Sequence, residues 1–222
     1  MIISERLTRI YELLFDRFGP QHWWPGDSRF EIIMGAILTQ NTSWANVEKA
    51  IANLKAADRL TPEKLRHLDA PQLAELIRPA GYFNIKAKRL KSFINWLFDN
   101  HQGKLTDLEG LGTSQLRAEL LAIKGIGPET ADSILLYALD RPVFVVDAYT
   151  ARIAIRHGLI EPGADYGQLQ ELFQSNLPED TRLFNEYHAL MVRLGKEFCK
   201  PQAKCPCCPL EKLPHKLNLE YF

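Results

Sequence analysis

The chain has 222 residues, of which 46% are apolar and 24% are charged, and its 27 basic side chains balance 27 acidic ones. This length and composition are typical of a globular protein that buries a sizeable core, as one domain or two small ones. The start, MIISERLTRI, is charged and amphipathic, and no apolar run reaches membrane-spanning length, so we expect neither a signal peptide nor a membrane span. A net charge of zero does not exclude nucleic acid, because basic residues can still collect on one face.

Apolar residues recur at helical spacing along most of the chain, which predicts an all-α protein of roughly ten helices. Short helices should start at Thr61-Pro62 and at Ala70-Pro71, because proline suits the first turn of a helix. The run VFVV at 143–146 is brief and has no evident pairing partner. We therefore interpret it as an extended connector rather than a strand.

A tight turn between two amphipathic helices is predicted within residues 120–152, LLAIKGIGPETADSILLYALDRPVFVVDAYTAR. Gly125 and Gly127 allow a sharp turn and a close approach to a partner, and Pro128 suits the helix that follows. The free N–H groups at that helix start can bind an anion such as a DNA phosphate. Asp147 follows twenty positions after Gly127. The whole pattern resembles the helix-hairpin-helix motif and catalytic aspartate of the endonuclease III superfamily of DNA glycosylases.

The resemblance implies that Asp147 is the catalytic residue. A carboxylate near C1′ can stabilise the positive charge that develops on the sugar, or activate a water molecule. Asp147 is also a natural N-cap for the helix that begins AYTAR. The two interpretations are compatible, because a cap holds the carboxylate in place.

Family members that also cut the DNA backbone carry a lysine in the second hairpin helix, and its amine forms a Schiff base with the sugar. Here the segment reads GIGPETA, and Glu129 stands at that position. We therefore predict a monofunctional glycosylase, in which Glu129 shapes the pocket or is simply a first-turn acid favoured by the helix dipole. Lys124 is the remaining candidate amine, although a phosphate-facing or solvent-facing role is favoured for it.

Two adjacent tryptophans, in His22-Trp23-Trp24-Pro25, cannot share one helix face, so at least one should project from a loop. Core packing is the ordinary explanation for such large side chains. The segments WWP, FEIIMGAILTQNTSW and IRPAGYFNIKAKRL, however, resemble the branch of the family that removes 3-methyladenine. The resemblance implies a base pocket formed by Trp23, Trp24, Pro25 and Trp44. Stacking on electron-rich rings suits a cationic alkylated purine.

A flipped base leaves a gap in the duplex that the protein must fill. The resemblance assigns this role to Gln40 and to either Tyr82 or Phe83. The alternatives are a helix end for Gln40 and core packing for the two aromatic residues.

A basic run lies beside this turn and comprises Arg78, Lys86, Lys88, Arg89 and Lys91. From charge alone it is best explained as a solvated helix face. A family-like docking would instead place Lys86 and Lys88 near DNA phosphates. The other DNA contacts that the resemblance implies are Lys124, Gly125 and Gly127 of the hairpin.

All four cysteines lie at 199–208, a clustering that favours a metal or iron–sulfur site in a reducing compartment over a disulfide framework. Endonuclease III carries a [4Fe–4S] cluster on a C-x6-C-x2-C-x5-C loop. The first three positions are matched by Cys199, Cys205 and Cys208, with five residues in the first gap. Pro214 stands at the fourth position, so the last ligand would be Cys207 or His215. A zinc site, or a site that has lost its metal, is the alternative.

The resemblance implies two helical domains. A six-helix barrel containing the helix-hairpin-helix spans 23–138, and a second domain combines 1–22 with 139–222 and holds the cysteine loop at 199–208. We predict a monomeric base-excision-repair glycosylase, cytoplasmic and associated with the nucleoid rather than a membrane, that flips and excises alkylated purines such as 3-methyladenine from double-stranded DNA. The alternatives are a glycosylase for oxidised pyrimidines or mismatched bases, and a non-catalytic protein that binds damaged DNA.

Overall fold

The computed structural model describes residues 2–217, and within them the regular structure is helical, with no β-strand. The α-helices are α1 (Ile3–Phe18), α2 (Arg29–Leu38), α3 (Trp44–Ala56), α4 (Pro62–His67), α5 (Ala70–Leu76), α6 (Phe83–His101), α7 (Thr113–Ala122), α8 (Pro128–Ser133), α9 (Ala148–Arg156), α10 (Tyr166–Gln174) and α11 (Thr181–Glu197). The predicted all-α class is confirmed, and 143–146 is the extended connector that the sequence indicated. No helix in the described part of the chain has the length and apolar content needed to cross a membrane.

The two proline-led helices begin where the sequence predicts. Thr61 accepts a hydrogen bond from the Lys64 backbone N–H, and Pro62 is the first residue of α4. Asp69 accepts one from the Gln72 N–H at 2.7 Å, and the Gln72 side-chain oxygen accepts one from the Asp69 N–H. These caps satisfy helix-start N–H groups that have no partner within the helix.

The chain forms two compact units. One contains the described residues of Met1–Trp23 and Pro142–Phe222, and the other is Trp24–Arg141. The first unit therefore holds α1, α9, α10, α11 and the cysteine loop. The second holds α2 to α8, including the predicted hairpin.

The first unit is built around an aromatic core. Phe144 of the connector stacks on Phe173 of α10 with ring centroids 4.1 Å apart, and Tyr187 of α11 meets both rings edge-on. The fully buried Tyr187 hydroxyl donates to the Leu7 carbonyl at 2.9 Å. Burying these rings and satisfying the one hydroxyl among them fixes α11 against α1 and the connector.

Helices α9 and α11 pack closely because Gly195 has no side chain. A Cβ at Gly195 would lie 2.3 Å from the Tyr149 ring, so the α11 backbone occupies space that any other residue would need. The relative position of these two helices is thereby fixed, which matters for the site at the start of α9.

The second unit is centred on α2, where eight of ten residues are buried. The helix packs against α3, α6, α8 and the π-helical segment Ile134–Ala138 that continues α8. Such a helix has little polar surface, which agrees with its apolar sequence RFEIIMGAIL.

Candidate active site and DNA interface

The predicted helix-hairpin-helix is present and is held by an ion pair whose carboxylate is buried. Asp132 of α8 has no exposed surface and accepts two hydrogen bonds from the Arg117 guanidinium of α7, at 2.7 and 3.0 Å. A bidentate interaction of this kind satisfies the hydrogen-bonding capacity of a buried carboxylate and sets the angle between two helices. The sequence pattern did not reveal this pair, because charges at 117 and 132 look like ordinary surface positions.

The two hairpin glycines have different roles. Gly125 has φ +95°, and a Cβ there would lie 2.5 Å from the Arg89 side chain, so both conformation and space require glycine. Gly127 has an extended backbone, and an added Cβ would meet nothing within 4 Å. Only Gly125 is needed to form the turn, while Gly127 leaves the start of α8 open to an external group.

Gln40 is bonded to the hairpin. Its Nε2 donates to the Gly125 carbonyl at 3.1 Å and to the Thr130 hydroxyl at 2.9 Å, and Arg89 donates to its Oε1. A gap-filling role in DNA would require Gln40 to leave these partners. In this structure it positions the turn, together with Arg89.

The turn before α6 offers one strongly exposed aromatic side chain. Tyr82 is 69% exposed and has φ +46°, a left-handed conformation uncommon outside glycine. Phe83 is partly covered by the Arg78 guanidinium, 5.5 Å from its ring centroid. Of the two residues that the sequence left open, Tyr82 has the exposure that an inserted side chain needs, and Ile85, which is 52% exposed, lies one turn beyond.

The prediction that Lys86 contacts phosphate is wrong. Its side chain is 1% exposed, and its ammonium donates to the Ala80 carbonyl at 2.7 Å. Burial, aided by the nearby Arg89 charge, lowers the pKa of Lys86 to about 8.

Lys91 of the basic run is also bound internally, because its ammonium donates to the carbonyls of residues 65, 66 and 68 at the end of α4. Lys88 and Lys124 are exposed.

An aromatic cluster joins two of the predicted pocket residues. Trp24 meets Trp44 edge-on with centroids 5.2 Å apart, and the Tyr137 ring lies 5.1 Å from Trp24. Gly35 makes room for the indoles, because a Cβ there would lie 3.2 Å from Trp24 Nε1. Tyr137 escaped the sequence interpretation because it sits in an apolar stretch, ILLYAL, that looks like core.

The remaining predicted pocket residues have other surroundings. Trp23 belongs to the first unit, where the Lys196 ammonium lies 5.8 Å from its ring centroid. Pro25 is exposed. Both tryptophans lie outside helices, whereas the sequence argument called for at least one of them to project from a loop.

Asp147 is the N-cap of α9, as the sequence indicated, and each of its carboxylate oxygens has a neighbour on α9 or α11. Oδ1 accepts a hydrogen bond from the Thr150 N–H at 2.7 Å, and Oδ2 lies 3.7 Å from Nε2 of His188. Burial alone would raise the pKa of Asp147, but His188 and the Thr150 hydrogen bonds together hold it below its ordinary value. A buried, ionised and fixed carboxylate can stabilise a developing positive charge.

Glu129 lies in the first turn of α8 with its side chain exposed to solvent. A carboxylate at this position cannot form a Schiff base. Its placement agrees with a first-turn acid favoured by the helix dipole.

The cysteine loop surrounds a small cavity of about 20 Å³. Its lining residues include Cys199, Cys205, Cys208 and His215. Cys207 is exposed, and its backbone N–H donates to the Glu211 carboxylate at 3.2 Å. Sequence alone allowed either Cys207 or His215 as a fourth ligand, and only His215 shares the cavity.

The described residues of the cysteine loop are not arranged around a single metal ion. Across residues 2–217, no group of three or more Cys, His, Asp or Glu side chains is arranged to hold one metal ion. Tetrahedral zinc binds sulfur at about 2.3 Å and so needs a tight group, whereas a four-iron cluster spaces its ligands more widely. Burial, with the adjacent Cys199 and Cys205, raises the pKa of the Cys208 thiol.

Arg156 of α9 anchors the loop. Its guanidinium donates to Cys199 Sγ at 3.2 Å and to the carbonyls of Lys200 and Pro201, each at 2.6 Å. Arg152, one turn earlier, donates to the Cys199 carbonyl at 2.7 Å. The sequence analysis did not single out these two residues, although the i, i+4 spacing of two arginines among apolar residues in ARIAIR could have indicated the anchor.

Comparison with known proteins places this geometry in a family. The model of the HhH-GPD superfamily base excision DNA repair proteins matches residues 34–179. A Methanocaldococcus jannaschii protein, provisionally named a DNA repair glycosylase, is 50% identical over 94% of this chain and 95% of its own length. Endonuclease III of Thermotoga maritima is 30% identical over 78% of this chain and 76% of its own length.

A solved structure extends the likeness to the whole fold. The Helicobacter pylori 3-methyladenine DNA glycosylase, determined with bound 1,N6-ethenoadenine, superposes with a TM-score of 0.75 at 31% identity. The match covers 89% of this chain and 98% of that one. The resemblance to the endonuclease III superfamily is therefore confirmed, and this chain belongs to the HhH-GPD superfamily of base excision repair DNA glycosylases.

Proposed function

We propose that the protein is a monofunctional DNA glycosylase that hydrolyses the N-glycosidic bond of alkylated purines such as 3-methyladenine. The observation that carries the proposal is the contrast between Asp147, whose largely buried side chain is held as an anion, and Glu129, an exposed carboxylate where a lyase lysine would stand. Asp147 would stabilise the sugar cation or activate water, and the product would be an abasic site.

The base preference rests on the aromatic cluster. Trp24, Trp44 and Tyr137 form a cluster of rings with electron-rich faces, and such faces favour a flat, cationic base that needs few hydrogen bonds. The H. pylori relative that acts on 3-methyladenine and binds an ethenoadenine supports the same class of base. Trp23 and Pro25 are not part of this cluster, and their contribution to the base pocket stays a prediction.

The DNA contacts we propose are fewer than the sequence suggested. Tyr82 would enter the duplex when the base leaves the stack, while Lys88, Lys124 and the open start of α8 at Gly127 would contact phosphates. Gln40 and Gly125 would contribute to DNA binding indirectly, by maintaining the shape of the hairpin. Lys86 is excluded because it is buried.

We further propose a [4Fe–4S] cluster in the cavity of the cysteine loop, with Cys199, Cys205, Cys208 and His215 as its ligands. Bound there, the cluster would cross-link the loop to α11 and to the Arg156 end of α9, a structural contribution. Hydrolysis at the sugar needs no redox step, so the catalytic proposal does not depend on it.

The direct test is base release from methylated duplex DNA, with strand breaks scored before and after hot alkali. Release of 3-methyladenine with breaks only after alkali is expected. Breaks without alkali would overturn the monofunctional assignment and direct attention to Lys124. Release from oxidised or mismatched substrates alone would favour the second candidate, an endonuclease III-like preference consistent with the T. maritima relative. No release from any of these substrates would favour a protein that only binds damaged DNA.

A further inference from the structure

The Asp147 carboxylate has one oxygen committed to the fold and one that remains for chemistry. Oδ1 is the acceptor of the α9 cap, at 2.7 Å from the Thr150 nitrogen. Oδ2 is therefore the oxygen that can face a sugar or a water molecule, and its orientation depends on what lies on its other side.

That neighbour is His188, on the middle of α11. Its Nε2 lies 3.7 Å from Oδ2, and the two side chains are only 6% and 12% exposed. At this burial, water competes weakly for either group, so the interaction between them is stronger than the same pair would have at a surface. The separation is slightly longer than a hydrogen bond, and a small rotation of either side chain would close it.

The surrounding structure fixes the distance. The adjacent Tyr187 is locked by its hydrogen bond to the Leu7 carbonyl, and Gly195 brings α11 into contact with Tyr149 of α9. His188 and Asp147 thus sit on two helices whose relative position is set at other points. The imidazole is therefore held beside the carboxylate in this structure.

We propose that His188 is a positioning residue for the glycosylase reaction, which acts through Asp147 by holding Oδ2 in orientation. The inference rests on the proposed function, because it requires Asp147 to be the catalytic carboxylate. Without His188, Oδ2 would lose its partner in a poorly solvated site. The carboxylate would then rotate or take up a proton, and either change weakens its interaction with a sugar cation.

The test is single-turnover base release by the full chain on methylated duplex DNA, comparing H188L with H188Q. The two replacements have similar size, but only glutamine retains an N–H donor within reach of Oδ2. We expect H188L to slow the chemical step by roughly tenfold to a hundredfold, as a misplaced catalytic group does. H188Q should stay within about threefold of the wild type, and DNA affinity should change little in both variants.

A double-mutant cycle separates positioning from general damage to the fold. If His188 acts through Asp147, adding H188L to D147N should not reduce the residual rate further. An equal loss in H188L and H188Q, or an undiminished effect of H188L in the D147N background, would overturn the inference. Wild-type rates in D147N would overturn the proposed function itself, whereas a slow D147N with an unaffected H188L would overturn only the role of His188. Thermal unfolding of each variant identifies a folding defect. If H188L has such a defect, the comparison is made between H188Q and the wild type.

Discussion

Two acidic side chains stand at the starts of consecutive helices, Glu129 in α8 and Asp147 before α9, and their surroundings differ completely. Glu129 is exposed to solvent. Asp147 is 12% exposed, with the Thr150 N–H on one oxygen and the His188 imidazole near the other. Both are carboxylates near a positive helix end, so residue type and local position do not separate them. Burial and fixed partners do, and these are what make a carboxylate fit to stabilise charge in a reaction.

The largest expected effect is on the rate of base release, measured after the charges of Asp147 and Glu129 are removed one at a time. D147N keeps a side chain that can cap α9 but loses the anion, so base release should fall by about a hundredfold to a thousandfold. E129Q is the matched control and should leave the rate within about twofold, as an exposed substitution does. Single-turnover assays on methylated DNA measure both. Equal losses in the two variants would show that the distinction between the helix starts is false.

The contrast between the two helix starts can also be tested by giving α8 the lysine that a lyase carries. In E129K, an amine would stand where Schiff-base members of the family have theirs, at a cost of about 0.3–1 kcal/mol from the helix dipole. We expect covalent trapping to DNA by borohydride, and strand breaks without alkali, in E129K but not in the wild type or E129Q. Trapping of the wild type would contradict the monofunctional proposal, and its loss in K124A would identify the amine.

The same contrast between enclosed and exposed residues recurs in the cysteine loop. His215 shares the cavity with three thiols, whereas Cys207 is exposed. After anaerobic reconstitution, H215A should bind less iron and lose much of the visible absorbance of a four-iron cluster, while C207S should match the wild type. H215C should restore the cluster. Loss of iron in C207S but not in H215A would reverse the assignment, and no iron in the wild type would exclude the cluster.

The smallest effect concerns the basic run, where Lys86 is buried and Lys88 is exposed. The pKa of Lys86 is about 8 in the fold against 10.5 ordinarily, so between these values the unfolded chain binds more protons. The free energy of unfolding should therefore rise as pH increases from about 8 to 10.5, by on the order of 1–3 kcal/mol.

K86M should lose this rise, because methionine fills the same space without a titrating group. K88M should retain it and should instead weaken DNA binding and its salt dependence slightly. Urea unfolding across this pH range compares the three proteins. An identical pH dependence in K86M and the wild type would show that Lys86 is not the group responsible.

Local sequence patterns predicted the helices of this fold. Proline and capping residues placed the starts of α4 and α5, and the 3.6-residue apolar period predicted an all-helical chain. The hairpin with its later aspartate identified the superfamily, because that motif depends on a turn, a helix start and a carboxylate at fixed sequence distances.

Tertiary structure decided which of the candidate residues face outward and which face one another. A single sequence does not show that the Lys86 ammonium turns inward to the Ala80 carbonyl, or that Tyr137 joins Trp24. It also does not pair Asp147 with His188, 41 positions apart, because that contact exists only through the close packing of α9 and α11. Residue type and spacing determined the helices and the family. Burial, which depends on every neighbouring element at once, determined which side chains can take part in chemistry.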